Sequence, residues 1–140
     1  MSANHHDLEE GEVLSLDFSK SKSISSISED VIPVAVQDKN SKEILILAYA
    51  NQKALDYTIK NSVAAFWSTS RNELWIKGKT SGDYLDVHEI RVNCEQNSLL
   101  YIVTARSTGA CHTKNASGKT RRSCYYRRIQ NNNKLIFLEK

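Results

Sequence analysis

The stretch VIPVAVQDKNSKEILILAYANQKALDYTIKN, residues 31–61, decides how this chain folds. Its opening is rich in β-branched residues, which predicts a strand over 31–36, with Pro33 near a sheet edge where its missing N–H is tolerated. DKNSKE supplies turn residues, and EILILAYA (43–50) returns as a second strand, so the two form a hairpin. The period then changes. In NQKALDYTIKN (51–61), Asn51 stands at an N-cap while Ala54, Leu55, Thr58 and Ile59 recur at helical spacing.

Working outward, the remaining apolar runs are short and β-like: VAAFWS (63–68), ELWIKG (73–78), DYLDVHEIRV (83–92), SLLYIVTA (98–105), CYYRRI (124–129) and KLIFLE (134–139). TSRN, TSGD and QNNN separate them as turns. The expected class is α+β, mostly antiparallel sheet with one main helix. Toward the N-terminus, residues 1–12 read as a flexible leader and 13–140 as a single domain. VLSLDF (13–18) is a short strand or helix, and the serine-rich 19–30 segment is a loop.

A chain of 140 residues suits one core, and 40% hydrophobic with 25% charged residues is ordinary for a globular protein. No apolar run approaches the roughly 20 residues that span a bilayer, so no membrane association is expected. MSANHHDLEEGE lacks a basic region followed by an apolar one, so the expected compartment is the cytoplasm. The net charge of +3 is unevenly spread. Acids dominate residues 1–30, whereas 111–128 carry Lys114, Lys119, Arg121, Arg122, Arg127 and Arg128 with no acid. Such a field favours an anionic partner, a phosphorylated metabolite or a nucleic acid, although a charge run is more often a solvated face.

Three cysteines complete the inventory: Cys94 in VNCEQN, and Cys111 and Cys124 at the ends of CHTKNASGKTRRSC. None forms a CxxC pair, which argues against thioredoxin-type redox chemistry and a zinc ribbon. Three thiolates with an open position match a catalytic zinc, and nearby Arg121 and Arg122 favour the thiolate form. On spacing alone this signal is weak, because three unrelated buried cysteines are an ordinary finding. His112 is a fourth ligand, a proton shuttle or a surface residue. GKTS (78–81) is not a phosphate loop, because the required glycine at 73 is Glu73. His88 and Glu89 lack the partner motifs of zinc nucleobase deaminases.

Taken together, LDFSK, IPVAVQD, EILILAYANQKAL, FWSTSR, LWIKGKTSG, VHEIRVNCEQNSLL and GACHT…SCYYR, in that order over residues 16–129, closely resemble the phosphoribosyl-AMP cyclohydrolases of histidine biosynthesis. The resemblance implies hydrolytic opening of the adenine ring of phosphoribosyl-AMP between N1 and C6 by zinc-activated water, in an intertwined homodimer using zinc and magnesium. It places zinc on Cys94 from one chain and on Cys111 and Cys124 from the other. His112 becomes the proton shuttle, with Glu95 its rival. Trp67, Ser68, Thr69, Ser70 and Arg71, together with Lys77, Gly78, Lys79, Thr80, Ser81 and Gly82, become the substrate-binding set; no nucleic-acid partner is implied.

The family's DCDxD, which holds magnesium, is NCEQN here, so Asn93, Glu95 and Asn97 are the corresponding magnesium positions with two negative charges lost. KGETSG has become KGKTSG, placing Lys79 where the family carries a carboxylate, and the loop between Cys111 and Cys124 is longer than CHTGxxSC. These departures keep two alternatives open: a hydrolase of another purine nucleotide, and a zinc-stabilised nucleotide- or RNA-binding module without catalysis.

Overall fold

The computed structural model describes residues 4–27, 29–131 and 133–140. The elements run α1 (His5–Glu10), α2 (Lys20–Ser25), β1 (Ile32–Asp38), β2 (Ile44–Ala50), α3 (Gln52–Asn61), β3 (Ala65–Ser68), β4 (Glu73–Ile76), β5 (Leu85–Val92), β6 (Leu99–Ala105), β7 (Arg127–Ile129) and β8 (Leu135–Phe137). Strands dominate and pair mostly antiparallel, so the chain is α+β as its patterns predict. Among the described residues no helix is long and apolar enough to cross a membrane.

The hairpin and helix of 31–61 form as read. β1 pairs antiparallel with β2 from Ile32 opposite Ala50 to Gln37 opposite Ile44. Asn51 caps α3 by accepting the Ala54 N–H at 2.9 Å. Ala54 and Thr58 are buried against β3, and the Thr58 hydroxyl accepts the Ala65 N–H at 3.0 Å while donating to Ala54 O at 3.0 Å. Ile59, expected on the apolar face, is exposed.

Long-range order departs from the local reading at β1. The main sheet runs β2-β1-β6-β5, with β1 parallel to β6, so β1 is an interior strand rather than an edge. Pro33 survives there because pairing with β6 begins only at Val34 opposite Leu99, leaving proline at the start of the strand without a β6 partner. Val34, Val36, Leu45, Phe66, Leu85, Tyr101 and Val103 close the core between this sheet, α3 and the β3-β4 hairpin.

The N-terminal segment differs most from its sequence reading. Residues 1–3 lie outside the described part, but His5–Glu10 is helical, and α2 lies within the segment read as a loop. Asn4 caps α1 by accepting the Asp7 N–H at 2.8 Å. A six-residue helix is not stable by propensity, so its support is tertiary. Tyr126 Oη donates to Glu9 O at 2.5 Å, and Arg127 donates to Gly11 O at 2.8 Å and Leu8 O at 2.6 Å. Val13 then bridges Lys134.

Candidate active site

The segment after β6 folds back on itself and brings two of the three thiols together. Ala110 N donates to Arg122 O, Cys111 N to Arg121 O and Arg121 N to Thr113 O, at 3.0–3.1 Å. The arms approach so closely at Gly109 that an added Cβ would sit 2.1 Å from Arg121 O, which only glycine permits. A bridge between Lys114 and Thr120 closes a small tip in which Asn115 Oδ1 accepts the N–H groups of Ser117 and Lys119. The extra length of the loop is absorbed in this tip. It packs on the C-terminus through Ala116 N to Lys140 O at 2.7 Å.

Cys124 is fixed from the other side, its N–H donating to Leu45 O at 2.8 Å. Its exposed thiol neighbours the buried one of Cys111, and the two influence each other's protonation. The Cys111 thiol is pulled down to about 5 by its interaction with Cys124, against burial, with the Thr113 hydroxyl and N–H helping. Cys124 is pushed up because it holds the shared proton beside a buried sulfur anion. A neighbouring thiolate and thiol are a soft donor pair that suits zinc.

Lys77, expected to bind substrate, is buried together with Asp83, a residue that sequence reasoning did not single out. Lys77 is only 4% exposed, its Nζ donating to Asp83 O at 3.3 Å. Burial drives the Lys77 pKa down, opposed by the charges of Asp83, Cys124 and Cys111. Burial favours protonation of Asp83, yet hydroxyls of Ser107, Thr120 and Ser81 outweigh it and hold the carboxylate below its ordinary value. TSGD was legible only as a turn, since the partners of Asp83 lie 24 and 37 residues away.

Cys94 sits apart, exposed on the turn between β5 and β6. Among the described residues no three or more His, Cys, Asp or Glu side chains gather as a metal cluster within one chain.

The sequence profile of phosphoribosyl-AMP cyclohydrolases matches residues 46–128, which include all three cysteines and the KGKTSG turn. The phosphoribosyl-AMP cyclohydrolase of Archaeoglobus fulgidus is 47% identical over 100 residues, covering 71% of this chain and 86% of that protein. That of Methanospirillum hungatei JF-1 is 46% identical over 99 residues, 71% of this chain and 70% of that one. The chain belongs to the phosphoribosyl-AMP cyclohydrolase family. The histidine biosynthesis bifunctional protein of Aquifex aeolicus is also similar, 38% identical over 104 residues, 74% of this chain and 48% of that protein.

The resemblance to this family implied magnesium at Asn93, Glu95 and Asn97. In NCEQN, Asn93 Oδ1 accepts the N–H groups of Asn97 and Ser98, both at 2.9 Å, and Asn93 Nδ2 donates to Asn97 Oδ1 at 2.6 Å. Both amides are committed to one another and to the turn, leaving Glu95 as the lone carboxylate of the set. That donor set does not fit a magnesium ion, which prefers carboxylates and near-ideal octahedral geometry.

The other expected site residues fall into two groups. Ser68 ends β3, and Thr69, Ser70 and Arg71 follow it in the turn to β4, with Arg71 N donating to Ser68 Oγ at 3.3 Å. Lys79, Thr80, Ser81 and Gly82 form an exposed turn closed by Gly82 N to Gly78 O at 2.7 Å. Gly78 makes that turn possible at φ +92°, where a Cβ would lie 2.3 Å from Tyr84 N. These two turns present hydroxyls and cations to solvent. Trp67 and Lys77 do not: Trp67 is 9% exposed with its indole N–H on Asn72 Oδ1 at 3.0 Å, and Lys77 is buried.

His112 is exposed, with Nε2 hydrogen-bonded to the Glu9 carboxylate of α1. Glu10 grips buried Arg121 with both oxygens at 2.8 Å. Nothing in the sequence signals either pairing, because α1 precedes its partners by more than 100 residues.

Proposed function

We propose that this chain catalyses hydrolytic opening of the adenine ring of phosphoribosyl-AMP between N1 and C6, a step of histidine biosynthesis. The carrying observation is the joined thiol pair of Cys111 and Cys124 with Cys94 exposed on a separate turn. That layout favours a zinc held by Cys111 and Cys124 of one chain and Cys94 of a second copy, in a homodimer. Bound there, zinc supplies a Lewis acid that lowers the pKa of water to about 7.

The chain's own residues do the rest. Ribose at N1 leaves the ring cationic and C6 electrophilic, so water attack there breaks the C6–N1 bond once a proton reaches N1. His112, next to the Cys111 ligand and exposed, carries that proton; Glu95 beside Cys94 is the alternative carrier. The turn of Ser68, Thr69, Ser70 and Arg71 and that of Lys79, Thr80 and Ser81 take the two phosphates through hydroxyls, N–H groups and cations. Trp67 and Lys77 shape the site from beneath. The thiols require a reducing compartment, which agrees with the cytoplasm. An absorbance assay of ring opening with zinc quantified in the same sample tests the reading. Wild type should turn over with about one zinc per chain, and Cys111→Ser should lose both. Full turnover in Cys111→Ser would refute it.

A further inference from the structure

We infer that Glu9 is a positioning residue for His112: its carboxylate, delivered by α1, fixes the imidazole through Nε2 and leaves Nδ1 as the nitrogen that exchanges a proton. This rests on the reading of His112 as the proton carrier. A ring that moves a proton works well only when held in one orientation, and the hydrogen bond made by its other nitrogen is what holds it. Here that bond has a single source. The His112 side chain is 74% exposed, and among the described residues its one hydrogen bond runs from Nε2 to the Glu9 carboxylate. A carboxylate only accepts, so Nε2 is the donor and Nδ1 faces away from the contact.

Both ends of the contact are braced from outside it. Cys111 N donates to Arg121 O at 3.1 Å and Arg121 N to Thr113 O at 3.0 Å, which pins the backbone on either side of His112 and leaves only its side chain to be placed. On the helix, Tyr126 Oη donates to Glu9 O itself at 2.5 Å, and Arg127 donates to Leu8 O and Gly11 O. The next residue, Glu10, takes the buried Arg121 guanidinium with both oxygens. None of the residues of α1 is buried, so apolar packing is not what the helix adds. It delivers two successive carboxylates to the thiol loop: Glu10 anchors it, and Glu9 meets His112. An exposed pair of this kind adds little to stability, so its effect belongs to the orientation of the ring. The family profile begins at residue 46, so Glu9 is not among the residues that it compares.

Variants separate the anchor from the positioning group. Glu9→Ala keeps the backbone contacts of α1 and the Glu10–Arg121 pair, so melting temperature and zinc content should match wild type. Its kcat for ring opening of phosphoribosyl-AMP should fall about tenfold, short of the roughly 10²–10⁴-fold that a proton-transferring group supplies, with KM unchanged. Glu9→Gln, which keeps an acceptor oxygen, should recover most of that loss. In a His112→Asn background, Glu9→Ala should have no further effect, since the two residues act as one unit. Nitrogen NMR of the wild-type His112 ring should show a hydrogen-bonded Nε2–H that Glu9→Ala loses. Unchanged kcat in Glu9→Ala, with His112→Asn inactive, overturns the inference alone, as does a ring signal that Glu9→Ala leaves unmoved. A raised kcat would make Glu9 an inhibitory cover, and a loss of kcat matched by lost zinc or melting temperature would make it structural; each overturns the inference. Full turnover in His112→Asn removes the proton-carrier reading itself, and the inference with it.

Discussion

Replacing Glu10 by glutamine should unlatch the N-terminal helix from the thiol loop. Arg121 is the more deeply buried partner of the pair, its side chain 2% exposed against 33% for Glu10. Its guanidinium donates to both Glu10 oxygens at 2.8 Å, to Glu139 O at 3.0 Å and to Thr113 Oγ1 at 3.1 Å, and lies 4.2 Å over the Tyr126 ring. Glutamine keeps one acceptor, turns a donor toward the other N–H, and leaves the buried charge unpaired. Breaking a fully buried pair this way costs roughly 3–5 kcal/mol, and partial access of water to Glu10 lowers the expectation to about 2–3 kcal/mol. For a chain of this size that is a fall of about 10 °C in melting temperature.

The effect should depend on pH. The hydrogen bond from Arg121, against a smaller effect of burial, holds the Glu10 carboxyl below its ordinary value of 4.5. A carboxylate depressed in the folded state stabilises above the unfolded-state value and loses that stabilisation as pH falls through the folded one. Urea unfolding of wild type and Glu10→Gln should therefore differ most at neutral pH and converge below about pH 4. Equal stability at pH 7, or a gap that survives unchanged at pH 3, would refute the bracing of α1 and return residues 4–12 to a flexible leader.

Mixing Cys94→Ser with Cys124→Ser chains should restore part of the activity through hybrid dimers, in which one of the two sites keeps every thiol; no recovery in a verified heterodimer would show that each site is built within one chain. Because NCEQN closes on itself, ring opening should persist after exhaustive magnesium removal, while Asn93→Asp with Asn97→Asp should introduce magnesium binding measurable by calorimetry. A sharp magnesium requirement in the wild type would contradict this. Gly109→Ala should cost about 1–3 kcal/mol in chemical denaturation and reduce zinc content, since the new methyl meets backbone rather than a movable side chain. A variant with wild-type stability and zinc would show that the loop arms can part freely.

Local chemistry was enough for the hairpin, the Asn51-capped helix and the order of the strands along the chain, because each depends on neighbours within about ten residues. It also sufficed for the family, since thiols, hydroxyl-rich turns and glycines stand in a recognisable succession. Tertiary structure alone decided which strand lies beside which. The parallel pairing of β1 with β6 joins segments more than 60 residues apart and made an interior strand of one that its proline marked for an edge. It alone decided which charges are buried: Lys77, expected to meet substrate, and Arg121, part of a basic run, are both enclosed, with Asp83 and Glu10 brought to them from elsewhere in the chain. The physical reason is one of range. Periodicity and capping are written in adjacent residues, whereas desolvation and ion pairing depend on what the fold delivers from elsewhere in the chain, and short polar segments such as 5–10 carry no apolar pattern to announce where they dock.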